Sequence, residues 1–278
     1  MTAAYGPRRP DLYAGQVSQH ELSFLRSGTA NNGAPITLLH GFTQTAACWG
    51  TFGEELGRSH SILAIDLPGH GGSGTVRANL EQSAALVAAA MQPGIVIGYS
   101  LGGRVALHLA LRYPELVERL VLIGATGGLA DDEERNARRI ADEALADRIE
   151  SIGLEAFLDE WLAQPLFASL TAEQSCRELR RTNSPEGVAS SLRLCGTGTQ
   201  EPLWDSLGQL TMPVLVLAGD ADEKFTDLGR KLVTSIGNNA TFCAIEHSGH
   251  SAQLENPDGT AAAITTWLKQ NESSTADE

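Results

Sequence analysis

A serine between glycines, an aspartate and a histidine, in that chain order, can together turn a hydroxyl into a nucleophile or a base. Ser100 lies in Gly98-Tyr99-Ser100-Leu101-Gly102, directly after the apolar run Ile95-Val96-Ile97 and directly before a helical pattern. That is the strand–turn–helix setting of a nucleophile elbow, in which a sharp turn presents the hydroxyl and the glycines admit neighbouring backbone. The hydroxyl does little until a nearby base takes its proton. His250, in Ser248-Gly249-His250, follows the last apolar run by a short loop and is the candidate base. Asp222, in Gly219-Asp220-Ala221-Asp222, is the candidate that orients the imidazole. Asp220 and His247 compete for these two roles. Asp222 is favoured because it lies further into its loop, and His250 because a glycine precedes it.

His40-Gly41-Phe42 follows the run Ile36-Thr37-Leu38-Leu39. A loop in that position can offer the Phe42 N–H to a developing oxyanion, with the Leu101 N–H at the start of the elbow helix as second donor. Asp66-Leu67-Pro68-Gly69-His70-Gly71-Gly72-Ser73 reads as a structural turn, and His70 is not assigned to catalysis.

These residues need a scaffold that brings strand ends together. Short apolar runs without polar alternation (36–39, 62–65, 95–97, 120–123, 214–217 and 241–245) read as strands covered on both faces. Amphipathic helices fit between and after them over 46–56, 80–90, 101–112, 227–235 and 252–269. The alternation predicts an α/β fold with a mostly parallel central sheet flanked by helices. The rhythm breaks between about 128 and 208, where helical patterns such as 131–151 and 154–163 follow one another without a strand. This stretch reads as a helical cap inserted between strands of one domain spanning 1–278, with a frayed acidic tail at 271–278.

Composition bounds the partners. The 278 residues carry a formal net charge of −14, which argues against nucleic acid, whose binding needs Lys and Arg to neutralise phosphates. No apolar run reaches the ~18 residues that span a bilayer, and residues 1–15 lack the apolar core of a signal peptide. Cys48, Cys176, Cys195 and Cys243 are scattered, with neither zinc-ligand spacing nor an export signal, so free thiols and a cytoplasmic setting are expected. No metal or organic cofactor is implied.

The order HGF, DLPGHGGS, GYSLGG, GDAD and SGH resembles the α/β-hydrolase superfamily from about residue 36 to 268. Within it, the chain is similar to the 2-succinyl-6-hydroxy-2,4-cyclohexadiene-1-carboxylate synthases of menaquinone biosynthesis. That likeness rests on the elbow with Arg104, on Trp161-Leu162-Ala163-Gln164-Pro165-Leu166-Phe167, and on Leu194-Cys195-Gly196-Thr197-Gly198-Thr199-Gln200 with Pro202-Leu203-Trp204. Asp222-Glu223-Lys224-Phe225, Gly249-His250-Ser251-Ala252 and Glu255-Asn256-Pro257 continue it.

The resemblance implies a lyase that abstracts a ring proton and expels pyruvate from a cyclohexene bearing a carboxylate, a succinyl group and an enolpyruvyl ether. Ser100 would be the base, served by His250 and Asp222, with no acyl-enzyme. A substrate with three carboxylates calls for planar bidentate donors, the chemistry of arginine. By the same resemblance Arg104, Arg138 and Arg181 are the candidate carboxylate ligands, with Tyr99, Trp161 and Lys224 lining the pocket; Arg139 and Arg180 stand as alternatives for the second and third. A serine hydrolase acting on an ester or C–C bond would use the same three residues, and a non-catalytic receptor could keep them without turnover. An apolar pocket without gathered arginines would favour the hydrolase.

Overall fold

The computed structural model describes residues 21–29 and 33–272. Seven strands form one sheet: β1 (Phe24–Gly28), β2 (Ile36–Leu39), β3 (Ser61–Ile65), β4 (Gly94–Tyr99), β5 (Val117–Ile123), β6 (Val214–Gly219) and β7 (Ala240–Ile245). Their order is β1-β3-β2-β4-β5-β6-β7. All pairings are parallel except β1 with β3. Parallel strands need crossover connections, and the crossovers here are helices.

The absence of polar alternation in the central strands has a direct consequence in packing. Ile36, Leu38, Ile95 and Ile97 face one apolar layer, while Leu39 and Val96 face the other. The first layer is closed by α1 (Gly50–Gly57) and α10 (Pro257–Glu272), through Phe52, Leu56, Ile264 and Trp267. The second is closed by α2 (Leu80–Ala90), α3 (Leu101–Arg112) and α8 (Glu223–Ile236), through Val87, Val105, Leu109 and Leu232. Truncating any of the fully buried leucines or isoleucines to alanine would cost about 2–5 kcal/mol. Parallel strands packed this way end together, so the loops after β2, β4, β5, β6 and β7 share one edge of the sheet.

Four expectations are corrected by the structure. Strand β1 has no counterpart among the predicted runs; it is an exposed antiparallel edge strand, and its sequence has no buried face to betray it. Strand β7 is half exposed, because it closes the opposite edge. The helix expected over 252–269 is two helices, α9 (Ala252–Glu255) and α10, broken at Asn256 because Pro257 disfavours helical geometry in the residue before it. The 46–56 helix opens as a 3-10 turn, Ala46–Trp49, before α1 begins. The tail expected at 271–278 overlaps the last two residues of α10, which runs to Glu272, and its remainder, 273–278, lies outside the described residues.

Between β5 and β6 the chain contributes helices only: α4 (Asp132–Ile152), α5 (Leu154–Leu162), α6 (Arg177–Arg180) and α7 (Pro185–Cys195), with short 3-10 turns. Their inner faces gather Ala146, Ile149, Phe157, Leu158, Val188 and Leu192 into a third apolar cluster, against which Phe42 packs. Among the described residues no helix is long and apolar enough to cross a membrane.

Candidate active site

Strand β4 delivers Ser100 into the turn before α3 at φ 50°, a left-handed backbone that a non-glycine residue adopts only where its surroundings hold it. The surroundings are backbone. A Cβ on Gly102 would lie 1.9 Å from the Leu39 carbonyl oxygen, and one on Gly98 would lie 2.4 Å from that of Gly102. The Ser100 N–H donates to the Ile123 carbonyl oxygen at 2.9 Å, which ties the turn to β5.

The loops after β6 and β7 bring up the other two residues. His250 is 4% exposed; its Nε2 lies 3.3 Å from Ser100 Oγ and its Nδ1 lies 3.0 Å from Asp222 Oδ2. With the Nδ1 proton donated to the carboxylate, Nε2 is left to accept from the serine hydroxyl. Asp222 also caps α8, accepting the Phe225 N–H at Oδ1 over 3.1 Å, so both of its oxygens are fixed. The Phe225 ring packs 4.2 Å from the imidazole, centre to centre. The competing residues stay outside this chain of contacts. Asp220 accepts the Ser248 N–H and His247 is exposed.

The loop carrying Phe42 is held by two buried histidines. His40 Nε2 accepts the Leu67 N–H at 3.0 Å, and His70 Nε2 accepts the Thr43 N–H at 3.2 Å. Each donates its Nδ1 proton to a carbonyl, His40 to Gly41 and His70 to Pro68. Burial pushes their pKa values down, to about 4 for His40 and about 3 for His70, so both rings are neutral at pH 7. The turn at 66–73 is therefore the strut that fixes the loop. Neither the Phe42 nor the Leu101 N–H is taken up by an acceptor among the described residues, and both residues border the cavity beside Ser100.

That cavity holds about 920 Å³ of space, mouth included. Tyr99, Arg104, Arg138, Trp161 and Lys224 line it, as expected from the sequence. Arg181 does not: it stands outside, paired with Glu178 and Glu155. The residue that reaches the cavity is Arg180, 1% exposed, whose guanidinium donates to the carbonyl oxygens of Ser175 and Phe42 and to Thr43 Oγ1. The expectation was off by one position, because α6 is a single turn whose register its sequence does not fix. Phe167, Thr126, Ser191 and Thr197 also line the cavity and were not singled out from the sequence. Phe167 lies in the cap motif and Thr197 in the 194–200 motif; Thr126 and Ser191 sit in segments without one.

The charge balance of the lining is one-sided. Arg104, Arg138, Arg180 and Lys224 line the cavity, and among the described residues no Asp or Glu does. Arg104 is buried and donates to the Cys195 carbonyl oxygen at 2.6 Å; desolvation lowers its pKa to about 10, which leaves it charged. Arg138 keeps an ion pair with Asp142 behind it, through Nε at 2.7 Å, and Asp142 also accepts the Gly198 N–H. Arg180 has no carboxylate partner among the described residues, and burial lowers its pKa. Buried cations of this kind are stabilised by an anionic partner.

Comparison with known proteins follows the same lines. The sequence profile described as the alpha/beta hydrolase family matches residues 38–263. The chain is 34% identical over 246 residues to 2-succinyl-6-hydroxy-2,4-cyclohexadiene-1-carboxylate synthase of Salmonella paratyphi C (strain RKS4594), an alignment covering 85% of this chain and 95% of the relative. The protein of that name from Salmonella choleraesuis (strain SC-B67) matches equally. Among solved structures, MenH from S. aureus superposes with a TM-score of 0.83 at 29% identity, covering 91% of this chain and 99% of its own. A thermophilic esterase from Thermogutta terrifontis (malate bound) superposes with a TM-score of 0.77 at 26% identity, over 90% of this chain and 93% of its own.

Proposed function

Because this chain belongs to the alpha/beta hydrolase family and, within it, to the 2-succinyl-6-hydroxy-2,4-cyclohexadiene-1-carboxylate synthases, we propose that it is a pyruvate-eliminating lyase of menaquinone biosynthesis. Its substrate is 2-succinyl-5-enolpyruvyl-6-hydroxy-3-cyclohexene-1-carboxylate. The observation that carries this reading is the cavity lining: four cations and no carboxylate around a serine–histidine–aspartate chain, in a protein of net charge −14. An ester pocket has no need of so much positive charge, whereas three substrate carboxylates do.

In this reading Ser100 Oγ passes its proton to His250 Nε2 and takes the proton from ring carbon 2, next to the succinyl carbonyl. The electron pair moves onto that carbonyl oxygen as an enolate, which the Phe42 and Leu101 N–H groups stabilise. Collapse of the enolate makes the C2–C3 double bond, shifts the C3–C4 double bond to C4–C5, and breaks the C5–O bond. Enolpyruvate leaves and tautomerises to pyruvate. No water enters and no acyl-enzyme forms. Asp222 keeps the imidazole in the tautomer that accepts at Nε2 and steadies the imidazolium that results. Arg104, Arg138 and Arg180 take the carboxylates; Tyr99, Trp161 and Lys224 complete the pocket. The inserted helices act as the cap of a single-domain enzyme, and four unpaired thiols fit a cytoplasmic setting.

The test is an assay in which the enolpyruvyl cyclohexene carboxylate is generated in place and pyruvate and diene absorbance are followed together. Equal release of both, lost in Ser100→Ala, is the expected result. The similarity to an esterase supplies the second reading. Turnover of simple esters with no acceleration of pyruvate release would replace the lyase by a hydrolase.

A further inference from the structure

Two thiols meet where the inserted helices touch the sheet, and neither lines the cavity. Cys48 sits in the 3-10 turn just past the Phe42 loop and is 3% exposed; Cys176 immediately precedes α6 and is half-buried. They are 128 residues apart in the chain, yet the two residues adjoin, with Cys176 Sγ 3.9 Å from the Cys48 carbonyl oxygen. The Cys176 side chain and the nearby Arg180 guanidinium hold the Cys48 thiol below its ordinary range, while Cys176 is held above it. Cys48, with the guanidinium beside it, is the sulfur favoured to attack, and the half-buried Cys176 is the one to resolve.

We propose that Cys48 and Cys176 form a modification site for small hydroperoxides, closing to a disulfide that ties α6, and Arg180 with it, to the Phe42 loop. The Cys48 thiolate attacks the distal peroxide oxygen, the O–O bond breaks, and the leaving oxygen takes a proton to depart as an alcohol, or as water from hydrogen peroxide. Cys48 is then a sulfenic acid. The Cys176 sulfur gives up its proton and attacks the Cys48 sulfur, and the S–O bond breaks to release water. Two thiols and one hydroperoxide give a disulfide, an alcohol or water, and a second water; the sulfurs lose the two electrons that the peroxide gains. The partly exposed Cys176 is the side from which the oxidant enters. Cys195 is buried, with its thiol raised to about 11, and Cys243 is likewise raised, so neither competes as a thiolate.

The experiment treats the full chain with hydrogen peroxide, blocks remaining thiols by alkylation and maps peptides by mass spectrometry. The expected result is a cross-linked peptide joining Cys48 to Cys176 and a rise in melting temperature of about 5 °C that dithiothreitol reverses. Cys243→Ser still forms the cross-link; Cys176→Ser, at a half-buried position, does not. Should Cys48→Ser fail to fold, the wild-type peptide map stands without it. Oxidation of Cys243 or Cys195 ahead of this pair, or conversion of Cys48 to a sulfinic acid with no cross-link, would overturn the proposal.

Discussion

Arg180 and Arg181 are consecutive residues on opposite sides of the wall that closes the cavity. Arg180 donates from inside to the Phe42 carbonyl oxygen at 3.2 Å, while Arg181 pairs outside with Glu178 at 3.0 Å. Charge alone does not separate them; burial does.

From this contrast follows a paired test. Arg180→Ala should lower kcat/KM on the order of a hundredfold, the scale of losing a charge-assisted contact in a desolvated site. Arg181→Ala should stay within about twofold, because it removes only exposed ion pairs. Steady-state kinetics of both variants decide it, and equal losses would return Arg181 to the site. Arg180→Lys keeps the charge but not the planar fork, and should recover only part of the loss.

The second test separates the two jobs of Asp222. Asp222→Asn keeps an oxygen to accept the Phe225 N–H and so should leave the melting temperature within a few degrees. It should cut kcat by about 10³–10⁴ by upsetting the imidazole tautomer. Asp222→Ala should lose the cap as well, at about 1 kcal/mol of stability. Ser100→Ala should abolish turnover with the fold intact, read by near-ultraviolet circular dichroism.

How much of this was legible in the chain depends on how each residue is held. Ser100, Asp222 and His250 sit at strand ends whose apolar runs are unmistakable, so their positions follow from counting past each run. Strand β1 escaped notice because Phe24, Leu25 and Arg26 all face solvent to some degree, and periodicity only records burial. Arg180 stood only as the alternative to Arg181 because its environment is assembled from Phe42, Thr43 and Ser175, residues far from it in the chain or in a turn without a pattern. The structural role of His40 and His70 was half visible: the 66–73 turn could be read, but not that two imidazoles in it and opposite it brace the Phe42 loop.

Those imidazoles give a pH prediction. His40 and His70, with pKa values lowered to about 4 and 3, and His108, lowered to about 4 by burial, are neutral in the fold but titrate near 6.5 when unfolded. Between those values the unfolded chain binds the extra protons, so stability is complete above pH 6.5 and falls as pH drops toward 4. Each histidine contributes up to about 1.4 kcal/mol per pH unit across its window. Denaturant melts at pH 7, 6 and 5 should show this decline, and His108→Gln should make it shallower. A flat profile over that range would mean that the three rings take up protons in the native state as readily as in the unfolded chain.

The last prediction concerns Ser191. Its Oγ is buried, 4% exposed as a residue, lines the cavity and has no hydrogen-bond partner among the described residues; Trp161 Nε1, also on the cavity wall, shares that condition. An unsatisfied buried hydroxyl costs about 1–3 kcal/mol in the free enzyme, so Ser191→Ala should raise the melting temperature by a few degrees. If the substrate supplies the missing partner, the same variant should raise KM by about five- to tenfold while kcat changes little, since the contact forms on binding and persists through reaction. Trp161→Phe should behave in the same direction, keeping its packing against Phe42 and Phe157 while losing the N–H. A stability gain without a KM change would make Ser191 a mere packing residue. A fall in kcat at constant KM would instead mean that its hydroxyl meets charge that appears only in the transition state.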